Sequence, residues 1–428
     1  MLPVIDILSM IKEGLLFLKG IVTDLQLGNL MMIATATILQ NQFNLSLVSR
    51  AWLKEKSTNA FSHCLKRARI NIKEATIALS RMQQQSYTLT GGRFIIDDTL
   101  EHHSRFCRFI AGVLSHWDHV VHTNTKGICI VFLYYSEGSW IKFPIGWRIY
   151  KKEAGITKND LALDLIKEAL DRGFRCNVVL ADSWFCVEPF IRELQKLGLS
   201  YILEIKENAT IRLPIPKTGR KRKYWYNKRK MTKYIKHYVR KTRNIGFVGD
   251  IETGKAEKIL YEIKEKVLII NALPGKHKVI YSYDPAKGTE KYLITNALTW
   301  EGVKVVREYF CRWVIEEFFR NAKQQLNMEG ACVRSEQGVA IKLLLLTCID
   351  SLIHMKIAKL VSENSKSGAL TFQSIIRLAI YENAEKFVKL IRSPEGESFL
   401  NRWLNQLKSE AIRKRKVKSE VAYLDQVG

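Results

Sequence analysis

Residues 309–323 read YFCRWVIEEFFRNAK, and how this stretch is understood decides the reading of the whole chain. Tyr309, Arg312, Glu316 and Lys323 are separated by 3, 4 and 7 positions. At roughly 100° per residue these offsets fall at roughly 0°, 300°, 340° and 320°, a single stripe on a helix. The opposite side carries Phe310, Val314, Ile315, Phe318 and Ala322. A helix with so wide an apolar side is buried against a core, where charge is costly unless it is paired or holds a metal. Arg312, Glu316 and Lys323 are therefore expected to line a cleft. The same spacing also suits a plain helix with an internal Arg312–Glu316 pair at i,i+4 and a surface lysine.

Upstream, two apolar runs end in acids. Gln83–Gly92 is polar, closes in Gly-Gly and reads as a linker. Arg93-Phe-Ile-Ile-Asp97-Asp98-Thr99 follows it, the pattern of a buried strand with carboxylates at its end. Aspartate is depleted in strands and costly in a core, although an Asx-type turn closing the strand would also place it there. Neighbouring strand residues face opposite ways, so Asp97 and Asp98 both stay open. The second run is Asn177-Val-Val-Leu-Ala-Asp182-Ser-Trp-Phe185. Between the two lie three strand-like runs, Ile128–Tyr135, Trp140–Ile145 and Trp147–Tyr150, with turn residues between them, the pattern of a hairpin series. An amphipathic helix over Asn159–Arg172 ends at Gly173, a helix follows Pro189, and Tyr201–Ile205 reads as another strand. Hairpin strands followed by alternating helix and strand predict an α/β fold around a mixed sheet.

Tyr309-x2-Arg312-x3-Glu316-x6-Lys323 matches without a gap the YREK signature of bacterial DDE insertion-sequence transposases, and Arg312-Trp313 with Glu316-Glu317-Phe318 resembles the core of that motif. The resemblance covers residues 90–330 and implies an RNase H-like catalytic core. In that class the first strand carries Asp-x-Ser/Thr, which favours Asp97 with Asp98 as the alternative. Asp182 and Glu316 complete the implied catalytic and metal-binding set. Three hard carboxylates suit Mg²⁺ or Mn²⁺, two ions in this class, rather than zinc. The resemblance also implies that Tyr309, Arg312 and Lys323 grip phosphates near the cut end. An aromatic that holds a flipped base would be Trp313, Trp300 or Trp225. The implied partners are double-stranded DNA, both element ends and target, and a second copy of the chain in the synaptic complex.

Charge supports a polyanionic partner: 68 basic against 42 acidic residues leave +26. Asp182 and Glu316 lie 134 positions apart, far more than an RNase H-like core requires, and the excess reads as an inserted segment. It opens with Lys217–Arg243, which holds thirteen Lys or Arg and no acid, with tyrosines and Trp225 interleaved. Arg220, Lys221, Arg222, Lys223, Trp225, Lys228, Arg229 and Lys230 are its candidate DNA contacts, cations for phosphates and aromatics for bases. A solvated charged face would look similar. Short strands with glycine turns follow, making the insertion β-rich.

The expected organisation is a helical DNA-binding region over 1–85, core over 90–205 and 299–330, insertion over 206–298, and a helical region with a basic end over 331–428. His116, His119 and His122 recur every third residue but lack a fourth ligand, and no Cys-x2-Cys pair occurs among the eight cysteines, so no zinc site is expected. Scattered thiols, no basic-then-apolar leader and apolar runs short of a membrane span predict a soluble, cytoplasmic protein. An RNase H-fold nuclease without strand transfer would share the acids but not need the YREK stripe or the basic insertion. A non-catalytic DNA-binding protein would not need the acids.

Overall fold

The computed structural model describes residues 2–53, 57–103, 110, 112–118, 122–152, 155–214, 226–241, 243–248, 258–330, 333–363 and 370–412. Five helices come first: α1 (Ser9–Gly14), α2 (Asp24–Gln40), α3 (Leu45–Ala51), α4 (Thr58–Arg67) and α5 (Ile72–Ser86). Helices α4 and α5 are separate because Ala68 turns extended and Asn71 caps α5 by accepting from the Glu74 N–H. Helix α5 continues through Ser86, so the linker is shorter than the polar composition of residues 83–92 predicts.

Strand β1 (Gly92–His102) is followed by β2 (Leu114–Asp118), β3 (Thr123–Glu137) and β4 (Ile141–Ile149). Strand β4 spans Pro144 and Gly146 as one element where the turn residues predict two, and a register shift at Leu133/Tyr134 absorbs the irregularity. His116 lies on β2, not on a helix. Helix α6 (Lys158–Asp171) opens on a Thr157–Asp160 capping box, and Gly173 beyond it adopts φ 90°, the left-handed stop that glycine permits. Then come β5 (Cys176–Ala181), α7 (Glu188–Lys196) and β6 (Tyr201–Glu204).

The insertion supplies β7 (Thr210–Pro214), β8 (Tyr226–Lys230), α8 (Met231–Tyr238), β9 (Arg243–Val248), β10 (Lys258–Ile270), β11 (Lys276–Asp284) and β12 (Thr289–Thr295). It is not a separate sheet. Strand β12 pairs antiparallel with β6, so one sheet runs β2-β3-β1-β5-β6-β12-β11-β10-β7-β8, with β4 on β3 and β9 on β10. Without β12, β6 would be an open edge with unpaired N–H and C=O groups. The last helices are α9 (Gly302–Phe310), α10 (Trp313–Arg320), α11 (Glu336–Glu363), α12 (Phe372–Ile391) and α13 (Gly396–Ile412).

Helices cover both faces of the sheet, which is why β3 is buried from Ile128 through Tyr135 without alternation. Parity along each strand decides which layer a residue enters. Ile95, Ile130, Phe132, Tyr134, Val178 and Leu180 pack with α1–α5 and α9–α12. Phe94, Ile96, Val131, Leu133, Val179 and Ala181 pack with α6–α8 on the other side. The result is an α/β sandwich around a mixed sheet, RNase H-like in β4-β3-β1-β5-β6, with strands β1, β5 and β6 parallel.

Helix α11 is 28 residues long with a mean hydropathy of 1.7 in its most apolar window, long and apolar enough to cross a membrane by composition. Its window is 89% buried against the sheet and the other helices, as a core helix would be. It carries Asp350, fully buried, which accepts from the Tyr134 hydroxyl at 3.1 Å. Burial pushes this carboxyl up to about 8, against the opposing Tyr134 hydrogen bond and the Lys142 charge. A carboxyl whose folded pKa is raised costs stability progressively as pH climbs from its unfolded value through the folded one. Asp350→Asn keeps an acceptor for Tyr134 and removes that cost. Urea denaturation should show wild-type stability falling relative to Asp350→Asn up to pH of about 8, by on the order of a few kcal/mol, and then a constant difference. Parallel pH profiles for the two proteins would refute this.

Candidate active site

Parallel pairing brings the acids of β1 and β5 together. Strands β1 and β5 align Ile96 with Ala181, so Asp97 and Asp182 come next on each chain segment. Asp182 follows the end of β5, whereas Asp97 and Asp98 lie in the middle of β1 and not at its end as the apolar run predicts, because pairing with β3 carries the strand on to His102. Ile96 and Ala181 face the α6–α7 layer. Asp97, one position on, faces the α10 layer, where Arg312 Nη1 donates to its Oδ2 at 2.7 Å. Asp98 faces away. Its Oδ2 accepts from Lys158 Nζ at 2.7 Å and from the Cys129 thiol at 3.4 Å, both in the opposite layer. Asp182 closes an Asx turn by accepting the Trp184 N–H at 2.9 Å on Oδ1.

The stretch from Tyr309 to Lys323 is not one α-helix, as its periodicity predicts. Helix α9 ends at Phe310, the chain turns through Cys311 and Arg312, α10 starts at Trp313, and Asn321–Gln325 forms a π-helical turn. The break leaves Phe310 and Trp313 exposed, while Ile315, Phe318 and Ala322 are buried. Phe318 anchors α10 edge-on to Phe132 of β3, with ring centroids 5.0 Å apart. Glu317, bonded to Lys142 of β4 at 3.1 Å, fixes the rotation of α10, and Arg93 of β1 holds α9 through Glu308 at 2.6 Å. With α10 so held, Glu316 in its first turn reaches Arg312 Nη2.

One guanidinium therefore bridges Asp97 and Glu316, and its field also reaches Asp182. Burial alone would weaken the Arg312 charge, but Tyr309, Asp97, Glu316 and Asp182 more than compensate and hold it protonated. Burial pushes the Asp97 carboxyl up to about 7; Arg312 opposes this and Asp182 and Asp98 add to it. Asp182 is also raised, again by burial first, against the Trp184 N–H and Arg312. Among the described residues no three His, Cys, Asp or Glu side chains converge closely enough to hold one ion as they stand. The donor set nevertheless suits a hard divalent cation: oxygen ligands alone, already gathered around a positive charge.

Tyr309, Arg312 and Lys323, expected to face phosphate, are engaged internally. Buried Tyr309 donates its hydroxyl to Glu204 of β6 at 2.8 Å, and Lys291 bonds the same carboxylate oxygen at 3.0 Å. Lys323 Nζ, on the π-helical turn, donates to the Leu100 carbonyl of β1 at 2.8 Å. Trp313 is 57% exposed at the start of α10, and Trp300 is half-buried under Lys304 Nζ, 4.0 Å from its ring centroid. Lys230 is exposed at the start of α8, and Lys228 and Arg229 lie on β8. Arg220, Lys221, Arg222, Lys223 and Trp225 lie outside the described residues, as does His119.

Sequence reasoning missed Glu204, Lys158 and Trp184. Glu204 sits in an apolar strand, a cue like those of Asp97 and Asp182. Lys158 pairs with Asp98 across layers, which nothing local signals.

Residues 150–349 match the family described as "Transposase DDE domain", and residues 45–243 match "DDE superfamily endonuclease". Asp97 falls in the second match, Glu316 in the first and Asp182 in both. A stretch of 128 residues is 29% identical to the probable transposase for insertion sequence element IS701 of Microchaete diplosiphon, covering 28% of this chain and 32% of that protein. The matched stretch thus spans about a third of that relative's length. With Asp97 and Asp182 in register on paired strands, a helical glutamate facing them and two family matches that each cover just under half of the chain, the chain is similar to the DDE transposases.

Proposed function

We propose that this protein cuts DNA at the ends of an insertion sequence and joins the freed ends to a target, and that it falls in the YREK class. The observation that carries the proposal is the sharing of one partly buried guanidinium by Asp97 and Glu316 beside Asp182. Asp97, Asp182 and Glu316 are the residues that would hold Mg²⁺ or Mn²⁺, in two sites. Bound metal would activate an attacking water or 3′-hydroxyl and stabilise the leaving oxygen. For these carboxylates to serve as ligands Arg312 must release them, and a DNA phosphate is the anion that suits a freed guanidinium. Lys323 and Tyr309 lie on either side of it along the chain. We assign residues 1–85 and the basic insertion over 206–298 to DNA binding, residues 90–205 and 299–330 to the core, and the remainder to packing and a basic end. A homodimer would bring two element ends together.

The test uses the purified protein and a DNA fragment carrying the sequences that flank its own gene. Wild type should cleave at those ends in Mg²⁺, and Glu316→Gln should lose about a thousandfold or more of that rate while binding the fragment equally well. Tight binding without cleavage by wild type, in either metal, would overturn the proposal.

A further inference from the structure

We propose that Trp184 is a stacking platform for a nucleobase beside the scissile phosphate, with Lys158 and Lys206 neutralising the phosphates on either side of that nucleotide. The inference rests on the reading of the chain as a DNA-cutting enzyme and adds a base-contacting residue to it.

Four observations converge on the indole. Trp184 is 48% exposed although its neighbour Phe185 is fully buried against Phe190, with ring centroids 5.8 Å apart. The turn is thus anchored by Phe185 and leaves the larger, more costly side chain in solvent, the reverse of what packing alone would select. The backbone N–H of Trp184 donates to Asp182 Oδ1 at 2.9 Å, so the turn that carries the indole is closed by an acid of the site two residues away. Lys158 Nζ lies 5.2 Å and Lys206 Nζ 5.7 Å from the indole ring centroid. Finally, β1, β5 and β6 are parallel, Trp184 and Lys206 lie just beyond the carboxyl-terminal ends of β5 and β6, where ligands of such sheets bind, and Asp97 follows the last β1 residue paired with β5.

An exposed aromatic between two ammonium groups has the composition of a single-nucleotide contact: a π-face for a base, cations for the adjoining phosphates. An apolar protein surface would offer neither ammonium group an anion. Lys158 is held by Asp98 at 2.7 Å and keeps its place, whereas exposed Lys206 is free to follow a backbone. A base lifted onto the indole would leave its own phosphate near Asp182. Trp184 was not among the tryptophans expected to handle a flipped base.

The experiment is a cycle between protein and DNA, read as equilibrium binding without divalent metal. The probe is the wild-type element-end duplex, and a series in which single abasic residues replace each nucleotide within about three of the cleavage point. One abasic position should weaken binding by wild type about ten- to hundredfold, and Trp184→Ala should bind the intact duplex about as weakly while being insensitive to that position. Trp184→Phe should restore most of the affinity and the sensitivity. Lys206→Ala should weaken every probe alike and reduce the salt dependence by about one counterion. Unchanged thermal unfolding of the variants, expected for exposed side chains, separates this from misfolding. If the losses from Trp184→Ala and from the abasic residue multiply at every position, the platform is refuted, and end cleavage sensitive to Glu316→Gln leaves the transposase reading standing. If wild type binds its own end no better than random duplex and does not cut it, that reading falls and the platform falls with it.

Discussion

Asp97→Asn will abolish metal-dependent cleavage of the element end, and Asp98→Asn will leave it within about tenfold of wild type. Adjacent and chemically identical, the two acids differ in the layer they enter. Asp97 shares Arg312 with Glu316, while Asp98 is bonded to Lys158 on the other side of the sheet. An amide at Asp97 keeps the shape of the side chain and an acceptor for Arg312 but loses the charge that a divalent cation needs. The expected loss is about a thousandfold or more, with DNA binding retained. At Asp98 the change removes the partner of Lys158, a matter of stability and of the placement of one lysine. Cleavage assays on both variants, with circular dichroism to verify folding, decide the point. An inactive Asp98→Asn beside an active Asp97→Asn would reverse the assignment and would require β1 to pair in a different register.

The second large effect is on stability. Lys342→Met should destabilise the fold by about 3–5 kcal/mol, and adding Glu101→Gln should recover most of that loss. Lys342 of α11 is bonded to Glu101 of β1, and their side chains are 1% and 0% exposed. His103 Nε2 lies 3.3 Å from the same carboxylate oxygen. Burial pushes the Glu101 carboxyl up, but the Lys342 charge and the hydrogen bonds of His103 and Lys342 outweigh it and leave it below the ordinary value. The stability it contributes is therefore present above the ordinary glutamate pKa and is lost as pH falls through the depressed folded value. Removing the lysine alone strands a buried carboxylate, whereas removing both charges leaves a neutral pair in an apolar layer. Chemical denaturation of the single and double variants measures this, and a double variant no more stable than Lys342→Met would refute it. Glu101 lies four residues beyond Asp97 on the same face of β1, so the pair also seats α11 beside the proposed active site.

Much of the architecture was legible before any coordinates. Apolar runs followed by acids marked the first half of β1 and all of β5, an amphipathic pattern and a glycine stop marked α6, and the order of strands and helices indicated a mixed sheet. The acids, the YREK spacing and the basic insertion pointed to the chemistry. Less legible was anything that depended on an interruption of local pattern. The helix around Glu316 breaks at Cys311–Arg312 because its hydrophobic stripe serves two packing surfaces, α9 near β6, β10 and β11 and α10 against β1 and β3. Periodicity averages over such a break.

By itself, then, the sequence determined which segments are buried, where acids and bases accumulate, and in what order the carboxylates occur. These depend on the local pattern of apolar and polar residues, which each segment carries alone. Only the tertiary structure decided that Asp97 rather than Asp98 meets Arg312, that the insertion extends the core sheet through β6 and β12, and that Trp184 stands exposed between two lysines. Each of these depends on register between segments far apart in the chain. A shift of one residue exchanges every side chain between the two layers of the sheet, and it is the packing of both layers at once that selects the register.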